Sequence, residues 1–125
     1  MKIYTSYYAK LRTIPDEIVP ISIAAKCPEF YTGIQYKKLA PKWSFFQQWK
    51  QNNDNDYYIE HFNAEVLDLL DVNQVFDELK ELSNGKDVVL LCYEKPSDFC
   101  HRHLVADWFN MAGIDCNEFT GIQNE

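Results

Sequence analysis

The chain has 125 residues, 46% of them hydrophobic, and a formal net charge of −7. A chain of this length is predicted to form a single domain, residues 1–125. Its acidic net charge argues against a general nucleic-acid coat protein, which would be basic. No apolar run approaches the roughly 20 residues of a membrane span, and the first residues lack the apolar region of a signal peptide. We therefore expect a cytoplasmic protein whose four cysteines are free thiols.

The charge is unevenly distributed along the chain. Residues 1–50 hold eight Lys/Arg against three Asp/Glu, whereas residues 51–125 hold four against sixteen. A chain polarised in this way can present a basic face to an anion and acidic helices to water. The alternative is an acidic surface that only keeps the protein in solution.

Two strands are predicted in the first part of the chain. Residues 2–8 alternate between the two faces of a strand, and residues 19–24 form a second apolar run. Pro20 has no N–H to donate, which places the second strand toward an edge of the sheet. Residues 26–42 form a long loop rich in tyrosine and lysine, and loops of that length are usually functional. We expect this loop to arch over the carboxyl edge of the sheet.

Helical patterns fill the middle of the chain. Residues 43–51 and 57–70 read as a short helix and a longer amphipathic one, and Asn73 is a candidate cap for a third that stops at Asn84 and Gly85. Residues 87–93 then read as a buried strand and residues 114–119 as a last one. This alternation predicts a three-layer α/β fold with a mostly parallel sheet of about four strands and helices on both faces.

The reactive side chains follow the buried strand. After a polar loop, an amphipathic helix is expected with Ser97 as its N-cap and Gly113 at its end, so that Cys100 to His103 form its first turn. Helical spacing turns His101 toward the carboxyl edge of the sheet, where ligands of open α/β sheets bind. Cys100 and Arg102 lie on the two flanks of that stripe, and His103 is expected to face solvent.

This region also resembles a known family. Residues 90–95, followed by residues 99–104 and Trp108, resemble the signature of the bacterial family called domain of unknown function 488. Residues 39–41 and 3–6 are similar to that family as well, so the resemblance covers nearly the whole chain. It implies a compact α/β domain without a settled activity. The positions that the family pattern picks out are Cys92, Glu94, Cys100, His101 and Arg102.

Several standard site motifs are absent from the sequence. The only Gly-Lys pair, at residues 85–86, precedes the buried strand, whereas a phosphate-binding loop would follow one. No dinucleotide-binding glycine pattern, tyrosine-phosphatase loop or Cys-x-x-Cys pair occurs. Zinc-type ligands are present, although their spacing matches no standard site: Cys92, Glu94, Cys100, His101 and His103.

Cys100 is also a candidate nucleophile for covalent catalysis. A helix N-terminus and Arg102 would favour its thiolate, but neighbouring helix residues lie about 100° apart, which weakens a direct pair with His101. The simpler hypothesis is that the helix N-terminus and Arg102 bind an anion, His101 transfers a proton, and Glu94 is the base or orients it.

The favoured function is a small enzyme acting on a phosphate-bearing or nucleotide-like ligand, with its cofactor left open. The candidate catalytic residues are Glu94, Cys100, His101 and Arg102. The candidate ligand-binding residues are Ser6, Tyr7, Tyr31, Lys42 and Tyr93. Alternatives are a non-catalytic nucleotide or anion sensor, an interaction domain that uses the acidic helices of residues 56–83, or a nucleic-acid-processing enzyme that uses the lysine-rich loop. In a purely structural alternative, His101 bonds the backbone of a neighbouring loop and Arg102 pairs with Glu94 or Asp98.

Overall fold

The computed structural model describes residues 1–93 and 99–120. Its strands are β1 (Ile3–Tyr7), β2 (Ile18–Ser22), β3 (Ile34–Gln35), β4 (Asp87–Cys92) and β5 (Cys116–Glu118). Its α-helices are α1 (Trp43–Asn52), α2 (Asn55–Glu65), α3 (Val72–Leu82) and α4 (His101–Met111). Short 3-10 helices cover Tyr8–Thr13, Lys37–Leu39 and Leu67–Leu69. No helix within the described residues is both long enough and apolar enough to cross a bilayer.

The strands form one sheet in the order β3-β2-β4-β1-β5, and every described pair is parallel. In β4, which has β2 on one side and β1 on the other, Val88 to Leu91 are all fully buried, the reason why this segment reads as a continuous apolar run. The predicted α/β fold is confirmed. The sheet gains a fifth strand because β3, only two residues long, lies inside the segment interpreted as a loop.

Alternate residues of β4 pack into two different cores. Val88 and Leu90 belong to the larger core, to which all four α-helices contribute buried side chains. Val89 and Leu91 belong to a smaller core together with Tyr8, the first residue of the 3-10 helix after β1. Because Cys92 continues the alternation of Val88 and Leu90, the pleat directs it to the side of the α-helices.

Pro20 lies in β2 at a position where its lack of an N–H group can be tolerated. Strand β2 is second from the edge, and its outer neighbour β3 pairs only with Ile21 and Ser22. Pro20 pairs with Val89 of β4 on its inner side and lies just before the short β3 ladder begins. The missing N–H therefore costs the sheet little, although β2 is not the terminal strand.

Several predicted helix limits were wrong. Helix α2 ends at Glu65, and the 3-10 turn that follows leaves Leu69 71% exposed, so the predicted helix over residues 57–70 is too long. Asp71 rather than Asn73 caps α3, since its carboxylate accepts bonds from two backbone N–H groups. Gly113 follows α4 with a φ of +83°, as expected for a helix end. Cys100 rather than the predicted Ser97 is the N-cap of α4, and Ser97 itself lies outside the described residues.

Candidate functional site

A cleft of about 640 Å³ lies at the carboxyl edge of the sheet, beside the start of α4. Its inner end is formed by Cys92 from the end of β4 and by Cys100 and His101. The residues after β2 form part of its wall, as the topology of a parallel sheet predicts for a ligand crevice. The remaining lining residues are Ala24, Ala25, Lys26, Pro41, Trp43, Phe46, Trp49, Lys50, Tyr58, Tyr93 and Phe99.

Helix α4 starts three residues later than predicted, since an N-cap at Ser97 would put its first residue at position 98. His101 is its first residue, and Cys100 is the N-cap, with an extended backbone at φ −153° and ψ 142°. This extended backbone removes the 100° helical offset between the two side chains, and the Sγ of Cys100 approaches the Nδ1 of His101 to 3.8 Å. The expectation that a helical offset weakens a direct pair of Cys100 and His101 was therefore wrong.

His101 is buried and held in one orientation. Its Nε2 lies 2.8 Å from the backbone oxygen of Ile23, and since a carbonyl oxygen only accepts, Nε2 carries the proton and donates it. In the neutral ring the lone pair then lies on Nδ1, on the side of Cys100. Burial lowers the pKa of His101 to about 4, with the charge of Arg102 acting in the same direction, so the ring is neutral near pH 7.

The structure joins Cys92 and Cys100 by a disulfide, with Cα atoms 7.3 Å apart. The expectation of four free thiols is wrong for this pair and holds for Cys27 and Cys116. The two cysteines meet because the end of β4 and the N-cap of α4 lie together at one edge of the sheet. In this oxidised state Cys100 has no thiol, so the thiolate predicted for it does not apply.

Arg102 lies inside the protein and not in the cleft lining. It is 0% exposed, and its Nε and Nη2 donate to the two carboxylate oxygens of Glu118 in β5, each at 3.1 Å. Its Nη1 also donates to the Sγ of Cys92 at 3.1 Å, and its guanidinium lies 5.5 Å from the ring centre of Tyr7. The structure thus gives Arg102 an internal carboxylate, although a different one from the Glu94 or Asp98 considered from the sequence.

His103 is half-buried rather than fully turned to solvent. Its Nε2 is buried and has no hydrogen-bond partner within the described part of the chain, and burial lowers its pKa. The residues of α4 that are buried are His101, Arg102, Val105 and Phe109. This face is rotated from the predicted apolar stripe because the bidentate pair with Glu118 allows an arginine to be buried.

The predicted ligand-binding residues are dispersed. Tyr93 lines the cleft, and its hydroxyl donates to the backbone oxygen of Lys26 at 2.6 Å. Ser6 and Tyr31 are buried, Tyr7 lies beside Arg102, and Lys42 is exposed before α1; among the described residues, none of these four is part of the cleft lining. Glu94 lies outside the described residues.

Helix α1 supplies functional candidates that sequence reasoning missed. Trp43, Phe46, Trp49 and Lys50 line one wall of the cleft, and the rings of Phe46 and Trp49 stack at 5.9 Å. The Nε1 of Trp49 donates to the side chain of Asn55 at 2.8 Å, which fixes the indole. The spacing of three residues between the aromatic side chains was the available signal, but in a short amphipathic helix it predicts core packing equally well.

The comparisons with known proteins identify a family. The model of DUF488-N3a, described as the active DUF488-N3 subclade, matches residues 6–113. No curated protein and no solved structure matches the chain. The match runs from the last two residues of β1 to just beyond α4 and includes the inner end of the cleft at Cys92, Cys100 and His101. The chain therefore belongs to the DUF488 family.

Proposed function

We propose that the protein is an enzyme that acts on a nucleotide-like ligand, an aromatic base carrying phosphate, bound in the cleft at the carboxyl edge of the sheet. One observation carries this proposal: an aromatic wall leads inward to the acceptor nitrogen of His101. Trp43, 66% exposed at the edge of that wall, offers a face on which a base can stack. Base stacking on aromatic side chains is worth about 1–3 kcal/mol per base.

The charge of the cleft supports an anionic ligand. Lys26 and Lys50 are in its lining, and none of the described lining residues is an aspartate or glutamate, in a chain whose net charge is −7. The N-terminus of α4 also lies at this edge, and its N-cap Cys100 makes no side-chain capping bond. Helix N-termini favour phosphate groups through their free N–H groups and dipole. We therefore assign anion binding to the two lysines and the N-terminus of α4, and not to Arg102, which is paired with Glu118.

His101 is the group proposed to handle a proton. Its Nδ1 lies on the side of Cys100, another residue of the cleft lining, and its ring is held by Ile23. Burial keeps the ring neutral, which is the state that accepts a proton. The matching subclade is described as active, which agrees with catalysis rather than with binding alone. We place this activity in the cytoplasm, as expected from the sequence.

The proposal is tested by binding and turnover measured in parallel. Calorimetry with a panel of nucleoside mono-, di- and triphosphates should find a ligand, and chromatography of the incubated mixture should find its product. Trp43→Ala should weaken binding about tenfold, the loss of one stacked base. Met111→Ala is the matched control, because Met111 is 89% exposed at the end of α4 and outside the cleft.

A separate variant tests the proposed catalytic role of His101. His101→Gln keeps an amide donor for the oxygen of Ile23 and removes the imidazole acceptor, so it should bind the nucleotide normally and lose about 100-fold or more in turnover. Binding without turnover in the wild type would overturn the enzyme and favour a sensor. If no nucleotide binds, or if Trp43→Ala binds as the wild type does, the proposed ligand class is wrong.

A further inference from the structure

Three metal-type donor atoms meet at the inner end of the cleft. The Sγ atoms of Cys92 and Cys100 and the Nδ1 of His101 all lie within 4.8 Å of one another. They come from the end of β4 and the start of α4, and each residue is at most 6% exposed. Thiolate and imidazole are the ligands that Zn²⁺ prefers, and neither strand pairing nor helix formation requires them here.

The surroundings of the donors are those of a metal site. A ligating histidine usually donates its other ring N–H to a carbonyl or carboxylate, and the Nε2 of His101 donates to Ile23 in that way. The Nη1 of Arg102 donates to the Sγ of Cys92, so a positive charge already faces the sulfur that would become a thiolate. Both contacts orient the donors and would stabilise them in their metal-binding forms.

The separation of one sulfur and the nitrogen already suits an ion, whereas the two sulfurs are bonded to each other and must move apart on reduction. Tetrahedral Zn²⁺, with Zn–S of about 2.3 Å and Zn–N of about 2.0–2.1 Å, holds two sulfurs about 3.8 Å apart and a sulfur and a nitrogen about 3.6 Å apart. The separation of Cys100 Sγ and His101 Nδ1 is 3.8 Å. The Cα atoms of the two cysteines are 7.3 Å apart, beyond the range of about 4.4–6.8 Å usual for a disulfide. This backbone spacing leaves room for the sulfurs to separate around an ion.

We propose that the reduced protein binds one Zn²⁺ through Cys92, Cys100 and His101, with the fourth coordination position open to the cleft. Two equivalents of a thiol reductant supply the two electrons and two protons that convert the disulfide into two thiols and form the reductant's own disulfide. Zn²⁺ then displaces both thiol protons. Three protein ligands with one open position is the arrangement of catalytic zinc, whereas structural zinc is closed by four.

This inference deepens the proposed function and rests on it for the ligand that meets the open position. A zinc ion there would bind water or a phosphate oxygen of the nucleotide and act as a Lewis acid. In that state Nδ1 of His101 would be a zinc ligand and a water at the open position would supply the proton-transfer group, so His101 would act as the base only in the metal-free protein. The disulfide is the oxidised, metal-free state of the two cysteines.

The test uses Co²⁺ as a spectroscopic substitute for Zn²⁺ on the whole protein, reduced with a phosphine and desalted without oxygen. The wild type should take up one Co²⁺ per chain, with thiolate-to-cobalt charge transfer and the visible bands of tetrahedral cobalt. Competition with a coloured chelator then gives the Zn²⁺ affinity. The oxidised wild type should show neither signal.

Variants identify the ligands. Cys92→Ser, Cys100→Ser and His101→Gln should each weaken Zn²⁺ binding by about 100-fold or more, since even changes around the ligands cost about 10- to 100-fold. Cys27→Ser is the matched control, because Cys27 is a free cysteine outside the three-residue cluster. Circular dichroism of each variant separates ligand loss from unfolding, and the wild-type spectrum tests the site without any substitution.

The outcomes distinguish the two proposals. If the reduced wild type binds neither Co²⁺ nor Zn²⁺, or if Cys27→Ser loses as much affinity as Cys100→Ser, the zinc site is wrong. Calorimetry with nucleotides in the presence of a chelator is run beside it. Nucleotide binding without metal binding would refute only the zinc-site proposal. Metal binding without any nucleotide ligand or turnover would refute the proposed function but not the zinc site.

Discussion

Replacing Glu118 by glutamine tests the role of Arg102 as a buried anchor for α4. The guanidinium is 0% exposed, and Glu118 accepts two bonds from it at 3.1 Å and a third from the hydroxyl of Thr5 at 2.7 Å. Glutamine has nearly the same shape, but it removes the negative charge and one acceptor oxygen. The charge of Arg102 then remains in the interior without the carboxylate that balances it.

The expected cost follows from the burial of the two partners. Breaking a buried ion pair by removing one partner costs about 3–5 kcal/mol. The side chain of Glu118 is 24% exposed, and water screens part of the interaction, so the lower end, about 3 kcal/mol, is expected. For a chain of this length that corresponds to a fall of about 12 °C in Tm.

Urea unfolding followed by tryptophan fluorescence measures the change in the free energy of unfolding. Asp115→Asn is the matched control, since Asp115 is an exposed acid just before the same strand and should change stability by less than about 0.5 kcal/mol. Arg102→Met combined with Glu118→Leu replaces the pair by apolar groups and should recover most of the loss. A cost below about 1 kcal/mol for Glu118→Gln, or an equal cost for Asp115→Asn, would refute this account of the pair.

Three further predictions concern other groups. Burial lowers the pKa of His101 from 6.5 to about 4, so the unfolded chain binds a proton that the folded protein does not; stability is full above pH 6.5 and should fall by up to about 3 kcal/mol toward pH 4. Denaturant titrations of the metal-free, oxidised protein should show this slope, and His101→Gln should flatten it. Tyr36→Phe removes the hydroxyl that donates to Glu78 and should cost about 1 kcal/mol in urea unfolding; an unchanged stability would contradict a contribution from that bond. Gly113→Ala places a Cβ at φ +83° and should cost about 1 kcal/mol in thermal unfolding, so a stability equal to the wild type would show that the turn after α4 relaxes.

The local patterns of the sequence determined most of the fold. The apolar run at residues 87–92 is readable as a buried strand because a strand covered on both faces needs apolar side chains at every position. The turn at Asn84 and Gly85 is readable because both have positive φ, which these residue types tolerate best. The alternation of strands and helices then gave the α/β class, and with it the carboxyl edge as the place to look for a site.

The sequence also predicted that Cys100 and His101 lie at the carboxyl edge of the sheet, and in the structure both line the cleft there. It did so because both follow directly after the buried strand, and in a parallel sheet that edge is where loops from several strands meet. The family resemblance at the same residues agrees with the match over residues 6–113.

Only the tertiary structure decided which side chains meet there. Arg102 lies in the interior because Glu118, 16 residues later and on the strand beyond β1, supplies two acceptor oxygens to it. Cys92 and Cys100 meet because a strand end and a helix start share one edge of the sheet. The tautomer of His101 is set by Ile23, which is 78 residues away along the chain. Such contacts depend on strand order and register, which periodicity within a segment does not encode, because each segment fixes only its own two faces.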